Sequence, residues 1–297
     1  VFFNIFNSSQ VMMGITTIDS NIIFNVNKAF IQTLGYSLEE ISGKTVRELD
    51  IYENYSQREI MLQQFADTGR AEGEATIKTK SGERLECLFS FEQIKIQEED
   101  YMIAAITNIT QRKQMEEKLK HFINQQKLLV DVAQLLNKPD DFDDIINTVL
   151  SLIGRHSNVS RVFVFKNTDD EQFTSNTHEW CNEGIESKKN EFQMFPFAKV
   201  PSWKKMLLEE GRIFSENISE LPQDIIDLFK PLNVKSVLAY PINIQNHFWG
   251  FMGFDECLRN KKWLDDEINL LLSVTNNIAN ALERKLYLNQ SQENEQR

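Results

Sequence analysis

The stretch "YMIAAITNITQRKQMEEKLKHF", Tyr101 to Phe122, changes its hydrophobic period halfway. Tyr101 to Thr107 is a short apolar run of the length of a buried strand, and beyond Asn108 the apolar residues recur at helical spacing. No Gly, Pro or loop chemistry separates the two. A strand is therefore predicted to run straight into a long charged helix in mid-chain.

Going C-terminal, Met115, Leu119, Phe122, Gln126, Leu129, Ala133 and Leu136 are spaced 4, 3, 4, 3, 4, 3. This is the a/d seam of a coiled coil and predicts a parallel homodimer, with the polar Gln126 able to fix register. The same spacing also suits an amphipathic helix lying on one of its own domains. Pro139 ends this helix and Asp141 caps the next, "FDDIINTVLSLIGRH". Strands are predicted at "RVFVFKN", "FTSNTHEWCN", "SVLAYPINIQ" and "FWGFMGFDEC", with helices "SWKKMLLEEG" and "PQDIIDLFKPLN" between the second and third. A closing helix starts near Leu264. Its Ile268, Leu271, Leu272, Ile278 and Leu282 cover more than one narrow stripe, so it is expected to pack on its own sheet and meet a partner.

Going N-terminal, "GITTID" and "IIFNVN" flank a tight turn at Ser20-Asn21. Asn27 caps a short helix ended by Gly35, and Ser37 with Glu40 forms a capping box for "SLEEIS". "QREIMLQQFADTG" is a longer helix. Three strands follow: "GEATIKTK", "RLECLFSFEQIKIQ" and "YMIAAITNIT". In the middle strand Leu85, Cys87, Phe89 and Phe91 alternate with mostly polar residues, which turns one face to a core.

The 297 residues suit two domains, and 41% hydrophobic with 10% aromatic residues suits ordinary globular cores. A net charge of -12 disfavours nucleic acid, which demands a basic face. Cys87, Cys181 and Cys257 are scattered without metal spacing, so a reduced, cytoplasmic setting is expected. No apolar run reaches the ~20 residues of a membrane span, and there is no signal peptide, so no direct membrane insertion is expected. The chain begins at Val1 and ends on "NQSQENEQR"; it reads as a piece of a longer protein.

"NVNKAFIQTLGYSLEEISGKTVREL", Asn25 to Leu49, resembles the N-x-A-F…G-Y-S-x-E-E-x-x-G-K run of PAS domains. "NIT", Asn108 to Thr110, resembles their Asp-x-Thr exit into a signalling helix, with Asn108 in place of the Asp. A carboxylate salt bridge is lost there, though Asn still hydrogen-bonds. "VSRVFVF", "VKSVLAYPINIQNHFWGFMGFDEC" and "KKWLDDEINLLLSVTNNIANALER" resemble the sheet core and closing helix of GAF domains, a likeness that starts near residue 128. "SNTHEWCNEGI" resembles a GAF subtype fused to PAS domains in bacterial sensor kinases. The fold class implied is α+β: two antiparallel-sheet sensor domains joined by a long coiled-coil-like helix. The boundaries expected are a PAS domain at 1–112, a linker helix at 113–136, a GAF domain at 137–284 and a helical extension at 285–297 leading to an output domain.

The resemblance implies a small-molecule cavity in each domain. It places Phe24, Phe30, Leu34, Ile41, Leu88 and Ile103 at the PAS cavity wall. In the GAF domain the aromatic candidates are Phe163, Phe165, Trp180, Trp203 and Tyr240, with His178 and Glu179 as polar groups. Asn108 and Thr110 mark the signal exit. Simple core filling is the competing account of both cavities.

Catalytic signals are lacking. His121, in "HFINQQ", has none of the neighbours of a phospho-acceptor box, and no Walker loop, H-E-x-x-H or G-x-S-x-G is present. No His precedes His121, so the first domain has no axial ligand for haem. The flavin-linking Cys and the bilin Cys-His pair known from related domains are missing, and Gly250 and Gly253 in "WGFMGF" are read as close-packing positions. "NKKWLDDE", Asn260 to Glu267, only partly resembles a cyclic-nucleotide signature. His178, Cys181 and Cys257 have no diagnostic metal spacing. No enzyme, cofactor or metal is therefore expected in this chain. The reading is a sensory region of a bacterial histidine kinase; a cyclic-di-GMP synthase or phosphodiesterase parent and a stand-alone adaptor are the alternatives.

Overall fold

The structure, a computed structural model, describes the backbone of residues 2–295, without the side chains of residues 2, 289 and 292–295. The expected extension at 285–297 thus lies partly outside the described residues. The chain forms two compact units, residues 1–121 and 122–297.

In the first unit a helix not foreseen from the sequence, α1 (Phe2–Ser8), precedes β1 (Met12–Thr17) and β2 (Ile23–Val26). Next come α2 (Lys28–Leu34), α3 (Leu38–Ile41) and α4 (Tyr55–Thr68). Their ends follow local chemistry. Asn27 accepts from the Phe30 N–H, Gly35 and Gly69 close α2 and α4 in the left-handed region, and the Ser37–Glu40 capping box is complete. Strands β3 (Arg70–Lys78), β4 (Arg84–Ile96) and β5 (Glu99–Asn108) complete an antiparallel sheet of order β2-β1-β5-β4-β3. Phe89, Met102 and Ile106 face the helices, while Ile15, Ile103 and Tyr101 face the other way, beneath Phe6 of α1.

Helix α5 (Thr110–Leu136) follows β5 across the single residue Ile109. Its later turns belong to the second unit, where Leu128, Val132 and Leu136 are buried in that unit's own core. Spacing of 4 and 4, rather than 4 and 3, sets this buried stripe. It corrects the seam expected from the sequence at one position: Leu136 packs inward, with Leu129 half-buried beside it. Met115, Leu119 and Phe122 remain exposed.

The second unit continues with α6 (Phe142–Ser157), β6 (Arg161–Asn167) and β7 (Phe173–Cys181). Two short edge strands, β8 (Phe195–Pro196) and β9 (Ile213–Ser215), escaped the sequence reading; α7 (Pro201–Glu209) lies between them. Then come α8 (Gln223–Phe229), β10 (Ser236–Ile244), β11 (His247–Glu256) and α9 (Asp265–Glu295). The sheet order is β8-β7-β6-β11-β10-β9. Val162 and Val164 join the core formed with α6 and α9; Phe163 and Phe165 join the one formed with α7 and α8. Both faces of β6 are thus covered, which explains its unbroken apolar run.

Gly250 and Gly253 let β11 lie close to β6. A Cβ at Gly250 would run into the Phe165 carbonyl, and one at Gly253 into the Phe163 ring. Backbone cannot rotate aside, so Gly250→Ala is expected to destabilise the second unit by about 1–3 kcal/mol. All four tryptophans, Trp180, Trp203, Trp249 and Trp263, belong to this unit, so urea unfolding followed by tryptophan fluorescence reads it selectively. A midpoint equal to wild type would show that the two strands can spread at no cost.

Candidate functional site

Three places combine polar groups with burial or junction geometry: the joint between β5 and α5, and one cavity in each unit.

At the joint, the Asn108 side-chain oxygen accepts from the Thr110 N–H at 2.9 Å, so the Asn keeps a helix-starting hydrogen bond. The Thr110 hydroxyl accepts from the Glu86 N–H at 2.9 Å, and the Glu86 carbonyl accepts from the Ile109 N–H at 2.8 Å. One turn on, Lys113 Nζ lies 2.6 Å from Glu74 and 3.4 Å from Glu86. The first turn of α5 is therefore bound to β3 and β4 as well as to β5. The Lys113 contacts were not foreseen, because they link residues far apart in sequence.

The cavity of the first unit encloses about 40 Å³. Of the six residues placed there by resemblance, Phe30 lines it. Leu34 and Ile41 are wholly buried but fill the core beside it. The other three need correction. Phe24 is half exposed and tilts against Tyr101, 4.9 Å between ring centres. Ile103 packs with Ile15 and Tyr101 on the outer face of the sheet. Leu88 sits between the inward-facing Cys87 and Phe89 and so points outward. The reason is the two-residue period of a strand: a wall built on Phe89 and Phe91 cannot include Leu88. The walls come instead from Gly14, Thr16, Phe89, Phe91 and Met102, with Tyr52 and Arg58 at one side. Burial pushes the Tyr52 hydroxyl up, and the Arg58 charge opposes that rise.

The second cavity, of about 50 Å³, lies between the sheet and α7–α8. Phe163, Phe165, Glu179 and Trp203 line it as expected. The Phe165 ring stacks on Phe251 at 4.7 Å, and Trp203 meets Phe229 edge-on at 5.4 Å. The other three candidates lie elsewhere. Trp180 packs with the α6–α9 core, over Gly154. The Tyr240 hydroxyl donates to the Ile268 carbonyl of α9 at 3.1 Å. His178 opens onto a separate surface groove, 3.5 Å from Asp143. Glu179 is also committed: its carboxylate accepts from the Lys188 N–H at 2.9 Å, the Lys189 N–H at 3.1 Å and the Ser187 hydroxyl. It anchors a loop and has little capacity left for a ligand.

Beside Glu179, the polar end of this cavity holds a buried ion pair not foreseen from the sequence. Arg161 and Asp255, on neighbouring strands, are both buried and form a forked pair, with Nε 3.0 Å from each carboxylate oxygen and Nη2 2.8 Å from one. Burial pushes Asp255 above the usual carboxylate range, opposed by the Arg161 charge beside it. The same burial raises the Cys257 thiol to about 11 and Cys181 to about 12, which leaves both protonated and inert at neutral pH. A β-bulge between Val164 and Phe165 turns Asn176 to the cavity, where its Oδ1 and the Trp203 Nε1 are buried without a partner among the described residues. Only a signal of charge at a core strand position, Arg161 opening "RVFVF", was available to find this end. Among the described residues no group of three or more His, Cys, Asp or Glu side chains is placed to hold a metal ion.

With two antiparallel sensor-type domains and this joint in place, the comparisons agree with the architecture. Residues 10–111 match the PAS domain family and residues 141–282 the GAF domain family, so the chain carries a PAS domain followed by a GAF domain, joined by α5. The chain is similar to the methanogenesis regulatory histidine kinase FilI of Methanothrix harundinacea, 30% identical over 148 residues. That match covers 48% of this chain and 17% of the relative's length. Among solved structures it is similar to the chromophore-binding domain of a Stigmatella aurantiaca bacteriophytochrome, at 10% identity, over 92% of this chain and 94% of that one, TM-score 0.48. It is also similar to the Thermosynechococcus elongatus PixJ GAF domain, at 18% identity, over 55% and 92%, TM-score 0.44. No described helix is long and apolar enough to cross a membrane.

Removing one member of a buried ion pair strands the other charge, at a cost of about 3–5 kcal/mol. Asp255→Ala is therefore expected to lower the stability of the GAF domain by that order, measured by urea unfolding through tryptophan fluorescence. A loss under about 1 kcal/mol, the scale of an exposed pair, would mean that water reaches the Arg161 site in solution.

Proposed function

We propose that this chain is the PAS–GAF input and relay region of a sensor histidine kinase, and that it works as a parallel homodimer without catalysing a reaction itself. The observation that carries this is the joint at Glu86: it ties the PAS sheet to the first turn of α5 with no loop to absorb a displacement. A change in the sheet then turns or shifts the helix rather than a hinge. The order of the two domains and the likeness to a regulatory histidine kinase support the choice of parent. The absence of a phospho-acceptor box and nucleotide loop from the sequence supports a non-catalytic role.

Pairing is assigned to the first half of α5. Met115, Leu119, Phe122 and Ile123 are each more than half exposed there, and Gln126 is exposed too. Leu129, Ala133 and Leu136 are engaged to differing degrees in their own domain, so they contribute less to a partner. Full burial of a large apolar side chain is worth roughly 1.5–3 kcal/mol. Leu119→Glu combined with Phe122→Glu removes two such contributions and sets like charges across the axis. Sedimentation equilibrium is expected to show dimerisation weakened at least about tenfold, the equivalent of ~1.4 kcal/mol. An unchanged association constant would move the interface elsewhere, with Leu286, Tyr287 and Leu288 of α9 the next exposed apolar group.

Each residue turns an α-helix by about 100°, and seven nearly restore the phase. In the full-length parent, deleting one residue between Gln114 and Gln125 should lock or abolish regulation of autophosphorylation, whereas deleting seven should largely preserve it. Equal regulation in both variants would make α5 a passive tether.

A further inference from the structure

Two arginines are buried among the described residues, and they are treated oppositely. Arg161 has Asp255 against it. Arg58, 8% exposed, has no acidic group in ion-pair contact among the described residues. Its Nη2 donates to Asn21 Oδ1 at 3.2 Å, its guanidinium lies 5.8 Å from the Tyr52 ring centre, and the Tyr52 hydroxyl is a second, neutral hydrogen-bonding neighbour. Arg58 shares the inward face of α4 with Met61 and Phe65, at core positions, and it lines the PAS cavity. Thr16, on β1, lines the same cavity. Its Oγ1 is buried without a partner among the described residues.

A buried cation with only neutral partners and no counter-charge is costly, and a buried hydroxyl without a partner adds to that cost. Both costs fall on one small cavity and would be relieved by one group. A guanidinium presents two parallel N–H donors whose spacing matches the two oxygens of a carboxylate, and a hydroxyl adds a third donor. The remaining walls, including Ile23, Phe91 and Met102, are apolar. They suit a short hydrocarbon tail and leave the extra oxygens of a phosphate or a second carboxylate unsatisfied. The volume of about 40 Å³ requires a small molecule.

We propose that the PAS cavity binds a short-chain monocarboxylate, its carboxylate held by Arg58 and Thr16 and its tail in the apolar remainder. The proposal rests on reading this domain as an input module, and it names the class of input. The Tyr52 hydroxyl, which burial keeps protonated, stands beside the same guanidinium.

The test is isothermal titration of the full chain with acetate, propionate and butyrate at fixed ionic strength, against the corresponding amides and inorganic phosphate. Saturable binding by at least one carboxylate is expected, with none by the amides or phosphate. Arg58→Met is expected to weaken that binding at least tenfold. It should leave the thermal unfolding midpoint of the PAS domain in the ligand-free full chain, followed by circular dichroism, equal to or above wild type, because a cation without a counter-charge does not stabilise it. Arg58→Lys, which keeps the charge and loses the fork, should fall between. Binding of amide or phosphate as tight as carboxylate, unchanged affinity in Arg58→Met, or no binding at all would each overturn the proposal. A lowered midpoint in Arg58→Met would also overturn it, by making Arg58 a structural residue. If that variant does not fold, Ala104→Leu fills the cavity instead: lost binding supports the site and unchanged binding overturns it. The titration needs no output domain. Failure of the linker deletions would fault the relay alone, and failure of binding would leave the relay standing.

Discussion

Glu86 is the residue on which the signalling reading turns. Its carbonyl accepts from Ile109, its N–H donates to Thr110, and its carboxylate accepts from Thr76 and lies near Lys113. A single position in β4 thus holds the end of β5, the start of α5 and the side of β3. Each bond is worth little alone, about 0.5–1.5 kcal/mol net, but together they fasten the first turn of the helix to three strands. The Asn at 108 fits this arrangement. What the joint demands there is an acceptor for the Thr110 N–H, and an amide oxygen supplies it as well as a carboxylate.

The two domains meet the problem of a buried guanidinium in different ways. In the GAF domain Asp255 neutralises Arg161, and Glu179 spends its acceptors on the loop at Ser187–Lys189. The polar end of that cavity is largely satisfied from within. In the PAS domain Arg58 has the neutral groups of Asn21 and Tyr52 and, among the described residues, no acidic partner, so its charge is not neutralised from within. Asymmetry of this kind marks functional sites more often than cores, since a core loses stability by it.

Much of the fold was legible because it rests on local signals. The strand-to-helix change at Asn108, the caps at Asn27, Ser37 and Asp141 and the turns at Gly35 and Gly69 all depend on residues within a few positions of each other. The short edge strands β8 and β9 have no period to read, and α1 is only seven residues long. The site was less legible. The resemblance points Leu88 and Ile103 at the cavity, whereas the alternation of Cys87, Phe89 and Phe91 turns Leu88 outward, and Ile103 likewise lies on the outer face. Arg58 was visible as a charge at a core position, in step with Met61 and Phe65, but nothing local says that it lacks a carboxylate. The Arg161–Asp255 pair joins residues 94 apart in sequence, which only the sheet brings together.

The central claim is that the start of α5 belongs mechanically to the PAS sheet. Native-state hydrogen exchange of the amides from Lys113 to Glu117, compared with those of β4 and β5, tests it most directly. In the wild-type chain the account predicts one shared opening free energy for the helix start and the two strands. In Thr110→Ala it predicts that the helix amides separate from the strands and exchange at least about tenfold faster, while the strands keep their protection. Helix amides that already exchange far faster than the strands in wild type, and do not respond to Thr110→Ala, would contradict it.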